Sequence, residues 1–373
     1  MSGYVPCINQ NNANLLINPS MEVDQPNEGA SVTVSTGTPG TIVNSIDGWK
    51  AQVTSGPTGT NTIQRLSSSP PTGFTNYIRF TTGTAASVVA GTYVKIYQPI
   101  EANNLTNLSF GTSNASMMCL SWVSQSSIAS YYYSISIQNA ALTRSYVAPV
   151  SESSTASTWM NHAICFDGDL GGTWVTSGTA EGMRVNFVLE SGSTFQNTSG
   201  QPRLWATGSF LGSNNATPTA LTTGATWSVT GTKLEFIPNG WALAPTAFTR
   251  NPLGLDLINA QRYYAKTFPQ GIAPAQFGGV AGSLCTVPSV TTAKSIGAYW
   301  QYPAVMRASP TIVTYNPSAI NANWRDVIAA SDLVVSVDPG AAKSASGVWI
   351  GEITTAPVVG NQTCIQATAD ARL

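Results

Sequence analysis

The residues best equipped for chemistry are few and scattered. His162, the single histidine, lies in the run Trp159-Met160-Asn161-His162-Ala163-Ile164-Cys165 with no HxH or HExxH partner, so no zinc constellation is spelled out. A catalytic histidine would need a nucleophile and an orienting group brought to it by the fold. Gly111-Thr112-Ser113-Asn114-Ala115 falls short of a GxSxG elbow, because Ala115 stands where the second glycine belongs, and it reads as a loop. Asp167-Gly168-Asp169 supplies too few oxygens for Ca²⁺ and lacks EF-hand spacing, so it reads as a tight turn. Glu181 with Glu190, or Asp326 with Asp332, would cleave a glycoside only if the fold set the two carboxylates at the required separation. No Gly-rich phosphate loop with its lysine is present. The expectation is a protein that is not an enzyme, with no metal and no cofactor.

Aromatic residues are a richer resource, with 10 Trp and 13 Tyr. Rings stack on sugar faces while amides and hydroxyls bond sugar hydroxyls, so an uncharged polar surface suits glycan binding. Trp300 and Tyr302 share one face of a candidate strand, Ala298-Tyr299-Trp300-Gln301-Tyr302, and are the candidate glycan contacts. The competing reading for each ring is packing in a core or between subunits.

Composition narrows the partners. Only 9% of the 373 residues are charged, against about 25% in ordinary soluble domains. With 16 Lys+Arg and 17 Asp+Glu there is no basic surface for nucleic acid and no polybasic segment for an anionic membrane. Met1-Ser2-Gly3-Tyr4-Val5-Pro6-Cys7 lacks a basic n-region and an apolar h-region, and no run of 18 apolar residues occurs, which predicts synthesis in the cytoplasm without an anchor. Cys7, Cys119, Cys165, Cys285 and Cys364 lie far apart with no CxxC pair, and read as core thiols rather than a disulfide framework.

Abundant Ser, Thr, Asn, Gly and Pro favour strands and turns over helix. Tyr131, Tyr133, Ile135 and Ile137 alternate with Tyr132, Ser134, Ser136 and Gln138, and Met183, Val185, Phe187 and Leu189 alternate with Arg184, Asn186 and Glu190, as half-buried antiparallel strands do. Further strands are expected at Tyr77–Thr81, Thr92–Tyr97, Met117–Val123, Met160–Phe166, Leu204–Leu211 and Trp227–Phe236, and, beyond Gly271, at Ala298–Arg307, Pro310–Tyr315, Leu333–Val337, Val348–Thr354 and Thr363–Ala369. Between the two sets, Asn251 as N-cap and Pro252 at the first position open a helix running to Tyr264, with Leu253, Leu257, Ala260 and Tyr264 as its apolar stripe. Leu253, Leu257, Tyr263 and Tyr264 are the candidate subunit-packing residues. The expected class is all-β: an N-terminal arm over 1–14, a jelly-roll-like β-sandwich over 15–240, a linker with a short helix over 241–270, and a smaller C-terminal β domain over 271–373.

Four segments in order carry a resemblance. Asn14-Leu15-Leu16-Ile17-Asn18-Pro19-Ser20-Met21-Glu22 followed by Asp47-Gly48-Trp49, then Gly172-Thr173-Trp174 with Thr230-Gly231-Thr232-Lys233-Leu234-Glu235, then Ala247-Phe248-Thr249-Arg250-Asn251-Pro252-Leu253-Gly254 leading to Gln261-Arg262-Tyr263-Tyr264, and finally Ala369-Asp370-Ala371-Arg372-Leu373, are similar to a family of bacteriophage virion structural, tail-fibre-like proteins. The chain departs from that pattern at Ala260, where the family commonly has Cys, and at Thr249, where it has an acidic residue. The resemblance implies a virion component, as a tail fibre or capsid-decorating fibre, assembled as a homotrimer with copies of itself and other virion proteins, and contacting host-surface glycan. The alternative is a glycan-binding adhesin or carbohydrate-binding module.

Overall fold

The alternating runs of this chain pair into two large sheets. The computed structural model describes residues 14–373, apart from 38–39, 57, 199–201, 214–219, 238–243, 293–295, 338–342 and 353–355. Residues 1–13 of the expected arm, Cys7 within them, and the turn Pro238-Asn239-Gly240 lie outside the described residues. A six-stranded sheet runs in the spatial order Val32–Val34, Asn61–Leu66, Tyr77–Thr81, Thr226–Ile237, Met117–Ser126, Met160–Phe166. An eight-stranded sheet is built from Trp205–Thr207, Arg144–Ser151, Tyr132–Asn139, Glu181–Ser191, Tyr93–Glu101, Trp49–Thr54 and Thr36–Gly37, with Val43–Ile46 also paired to Trp49–Thr54. The fold is all-β and jelly-roll-like. Among the described residues no helix is long and apolar enough to cross a membrane.

The inner faces meet in one aromatic core. Tyr131, Tyr133, Ile135 and Ile137 point inward with Met183, Val185, Phe187 and Leu189, and all are buried. The Phe187 ring lies 5.9 Å from Trp49, 5.6 Å from Trp122 and 5.5 Å from Trp227, at the centre of three indoles. Such large rings contribute most of the area that drives the sheets together.

The other face of these strands is not exposed as the alternation suggests. Ser134, Ser136, Gln138, Asn186 and Glu190 are buried. The chain after Thr207 folds over them: Ser136 donates to the carbonyl of Phe210 at 2.7 Å, and the Gln138 amide donates to Ser209 and Phe210 at 3.3 Å. That cover exists because the expected strand Leu204–Leu211 stops at Thr207, where Gly208 takes a φ of 134° and turns the chain.

Cysteines that look isolated in sequence are cross-strand neighbours. Cys119 and Cys165 are register partners and form a disulfide, as do Cys285 and Cys364. The core-thiol reading is corrected for these four. The bridges close loops with sequence separations of 46 and 79 residues, and such cross-links are worth about 2–4 kcal/mol each by restricting the unfolded chain.

A second core of Ala265, Trp300, Tyr302, Trp324, Val348, Ile350, Ile365, Ala367 and Ala369 belongs to the C-terminal strands. Thr363–Asp370 is their axis and pairs with Tyr264–Lys266, Leu284–Thr286, Thr311–Tyr315 and Trp324–Asp326. Beside it, Gly297–Gln301, Gly347–Glu352 and Val335–Val337 form a three-stranded sheet with Gly347–Glu352 in the middle. The expected strand Ala298–Arg307 ends at Gln301, ahead of the Tyr302-Pro303 step. Leu333–Val337 splits, its halves joining different sheets.

The connecting helix spans Leu253–Gln261, with Pro252 at the N-cap and Asn251 donating to Asp256 at 2.8 Å instead of capping the backbone. Its expected stripe is corrected too. The helix buries Asp256, Ala260 and Gln261, while Leu253, Leu255 and Ile258 are 57%, 47% and 54% exposed and Leu257 is half-buried. Tyr264 leaves the helix for a strand, and Tyr263 and Tyr264 are buried within this chain.

The buried carboxyl of Glu190 sets a pH dependence. Burial pushes it up from 4.5 to about 7, partly opposed by the backbone N–H of Leu221, and its Oε2 has no hydrogen-bond partner among the described residues. The folded chain therefore holds this proton more tightly than the unfolded chain, so the associated stability is complete below pH 4.5 and is lost as pH rises through about 7. Glu190→Gln is expected to raise unfolding stability by about 1–3 kcal/mol on the alkaline side of this window and to change it little on the acid side. Urea denaturation on both sides measures this, and an equal effect at both would refute it.

Candidate functional site

Of the candidate catalytic groups, Asp169, Glu190 and Asp326 are buried, His162, Glu181 and Asp332 are half-buried, and Ser113 and Asp167 are exposed. The His162 side chain stacks on Trp122 with ring centroids 5.2 Å apart, and its Nε2 lies 3.2 Å from Glu152 Oε2. Glu152 also accepts from Ser124 Oγ at 2.6 Å and Trp227 Nε1 at 2.9 Å. A hydrolytic triad places histidine between the nucleophile and the acid. Here the carboxylate lies between serine and histidine, so the imidazole does not face the hydroxyl and the triad order is not met.

Asp169 accepts from Arg144 Nε at 2.7 Å, Arg144 Nη2 at 2.5 Å and Trp174 Nε1 at 3.0 Å, while the carbonyl of Asp167 accepts from Trp205. Asp169 is thus engaged through its carboxylate and Asp167 through its backbone, while the Asp167 residue is exposed. Among the described residues no group of three or more His, Cys, Asp or Glu side chains is arranged to hold a metal. Glu181 and Glu190 lie on one extended strand, about 30 Å apart at ~3.3 Å per residue, far beyond the separation of a glycosidase pair. Asp326 accepts from the backbone N–H groups of Ile328 and Ala329, and Asp332 from Arg325 and Asn316.

Trp300 and Tyr302 are buried at 7% and 5% exposure, packed edge to face with centroids 5.1 Å apart. They belong to the second core. Their expected exposure is corrected: one residue before Trp300 on this strand, the outward ring is that of Tyr299, which is 52% exposed. Directly across the ladder from it is Trp349, 44% exposed.

The surroundings of these two rings are unusual. The outward positions of the three strands are Gly297, Tyr299 and Gln301, then Gly351, Trp349 and Gly347, then Ser336. A Cβ added at Gly297 would lie 2.2 Å from Trp349 Cζ2, and one added at Gly347 would lie 2.3 Å from the Tyr299 hydroxyl. The indole therefore reclines over Gly297, and the phenol reclines the opposite way over Gly347. Rings laid flat on strand glycines cover backbone that no side chain protects. In this position Tyr299 and Trp349 remain 52% and 44% exposed. Gln301 is exposed and Ser336 half-buried, and no charged side chain stands among these seven positions.

The sequence reading missed Trp349. A signal was present in Gly347-Val348-Trp349-Ile350-Gly351, where Val348 and Ile350 form the apolar face and leave a tryptophan between two glycines on the other.

No protein-family profile matches the chain, and no curated protein matches it. Among solved structures, a putative sugar-binding protein from Bacteroides thetaiotaomicron VPI-5482 is 9% identical with a TM-score of 0.31, over 60% of this chain and 100% of that one. The TmCBM61 module in complex with β-1,4-galactotriose is 9% identical with a TM-score of 0.28, over 60% of this chain and 99% of that one. The enzymatically active domain of bacteriophage CBA120 tailspike protein 4 is 10% identical with a TM-score of 0.28, over 60% of this chain and 21% of that one. The chain thus spans about a fifth of that tailspike. These likenesses concern the β-sandwich shape alone.

Proposed function

We propose that this chain is a non-enzymatic glycan-binding protein whose contact surface is the Tyr299–Trp349 face. The observation that carries the reading is the pair of exposed rings laid flat on Gly297 and Gly347. A reclining ring offers its π-face to the C–H bonds of a pyranose, and Gln301 and Ser336 supply hydrogen-bonding groups beside it. The non-enzymatic part rests on the hydrogen bonds that already engage the carboxylates of Glu152, Asp169, Asp326 and Asp332.

A glycan microarray probed with the full chain is expected to give a defined set of signals, lost in Trp349→Ala and Tyr299→Ala. Gly297→Ala, which lifts the indole without removing it, is expected to weaken binding by about threefold, less than either ring deletion, while leaving the melting temperature within a few degrees. Absence of signal, or signal indifferent to Trp349→Ala, would sink the reading.

A second reading, a bacteriophage virion component assembled as a homotrimer, is favoured by a specific convergence. The segments that carry the resemblance meet in space: Asn18 donates to the carbonyl of Asp47, Thr232 N–H to that of Pro19, and Ala371 N–H to that of Tyr263. The exposed Leu255 and Ile258, three residues apart on the helix, form an apolar face available to another copy, with Leu253 exposed at the helix start. Light scattering is expected to give about three times the 39.0 kDa chain mass, reduced by Ile258→Asp. A mass of one chain for the unsubstituted protein would overturn the trimer.

A further inference from the structure

We infer that the Tyr299–Trp349 face takes an internal stretch of a neutral, extended polysaccharide whose sugars present a hydroxyl-free face; this rests on reading the face as a glycan-binding surface. Three features of the face select that class. The first is ring spacing. Trp349 reclines toward Gly297 and Tyr299 toward Gly347, the partner of Gln301. Gln301 lies four residue steps beyond Gly297, so at about 3.4 Å per residue the ring tips lie on the order of 10 Å apart. One sugar cannot cover both, whereas successive sugars of one chain can.

The second feature is flatness. Glycines occupy three of the seven outward positions, and the two rings lie down on two of them. Recognition of a chain end requires groups that converge around the terminal hydroxyls, and a flat face gives none of that convergence. A polymer lying along the sheet uses both rings without an end being present. Stacking requires that the sugar side facing the ring carry C–H bonds, since a hydroxyl there would lose its water without gaining a partner.

The third feature is the absence of charge among the seven described positions. A uronate or sulfated sugar placed on Gly297, Tyr299, Gln301, Ser336, Gly347, Trp349 and Gly351 would be partly desolvated with no cation among those side chains to receive it. Neutral sugars carry no such cost.

Affinity electrophoresis of the full chain through gels containing soluble β-glucan, β-mannan or β-galactan tests the assignment, each polymer run beside its carboxymethylated form. At least one neutral polymer is expected to retard the protein, with its carboxymethylated form about tenfold weaker, no change between low and high salt, and no competition by the matching monosaccharide. Trp349→Ala and Tyr299→Ala are each expected to cost about tenfold, and Gly297→Ala to fall between them and the unsubstituted chain. Tighter or salt-dependent binding of a carboxymethylated polymer would overturn the neutral class and leave the glycan reading standing. Competition by the monosaccharide at equal sugar concentration would overturn the internal-stretch assignment. Retardation by none of the polymers, with tryptophan emission showing a folded chain, would overturn both.

Discussion

The carboxylate of Glu101 holds this molecule together. It ends the strand Tyr93–Glu101, is 2% exposed, and accepts from Arg262 Nε at 3.0 Å, Arg262 Nη2 at 2.6 Å and the Tyr263 hydroxyl at 2.9 Å. A buried carboxylate is tolerable only when its oxygens are met in this way, and removing one partner leaves an uncompensated charge. Because Arg262 directly follows the helix and Tyr264 opens the next strand, the contact fixes where one element stops and the other starts. Gln25 adds a second tie, its amide donating to the carbonyl of Tyr264 at 2.9 Å while also donating to Asp47. The chain end returns to the same place: Ala371 N–H donates to Tyr263, and the Arg372 guanidinium lies 4.5 Å over the Tyr264 ring. The second core is thus built outward from the edge of the first.

This arrangement explains how a chain with so little charge uses what it has. Arg144 is spent on Asp169, Arg184 on Glu181, Arg325 on Asp332, Arg372 on Asp370, and Lys266 on Glu28. Lys95 is the instructive exception. Burial, reinforced by the Arg184 charge, lowers its pKa to about 7, and its ammonium rests 4.5 Å from the Tyr97 ring centroid beside the Asn186 amide. Much of the described charge is thus used in pairs that join strands and loops, while Asp167, Arg203, Arg250 and Lys343 stay exposed.

Much of the fold was legible because a period of two survives wherever one face meets a core. Tyr77–Thr81 and Met160–Phe166 fall where the pattern puts them. What could not be read depends on partners distant in the chain. Ser134, Ser136 and Gln138 look solvent-facing until Phe210 is laid across them. Cys119 and Cys165 look unrelated until their strands pair. Leu253, Leu257, Ala260 and Tyr264 look like one stripe because helical spacing continues past Gln261, but the Glu101 contact on Arg262 and Tyr263 ends the helix there. Local propensity proposes such a stripe, and tertiary contacts decide how far it runs.

The candidate site shows the same division within five residues. In Ala298-Tyr299-Trp300-Gln301-Tyr302, alternation sends Trp300 one way and Tyr299 the other, and nothing local says which way is inward. The choice is made on the neighbouring strand. Val348 and Ile350 are fully apolar and must face the core, so Trp349 and the flanking glycines face out, and Tyr299, paired with Trp349, faces out with them. Trp300 is then forced inward, against Tyr302, while Trp324 donates from the same core to the carbonyl of Gly351 at 2.9 Å. The rings first expected to touch a sugar are the foundation on which the exposed rings lie. Glycines at 297, 347 and 351 do the rest, since a β-carbon at 297 or 347 would prop its ring up from the sheet and remove the flat face.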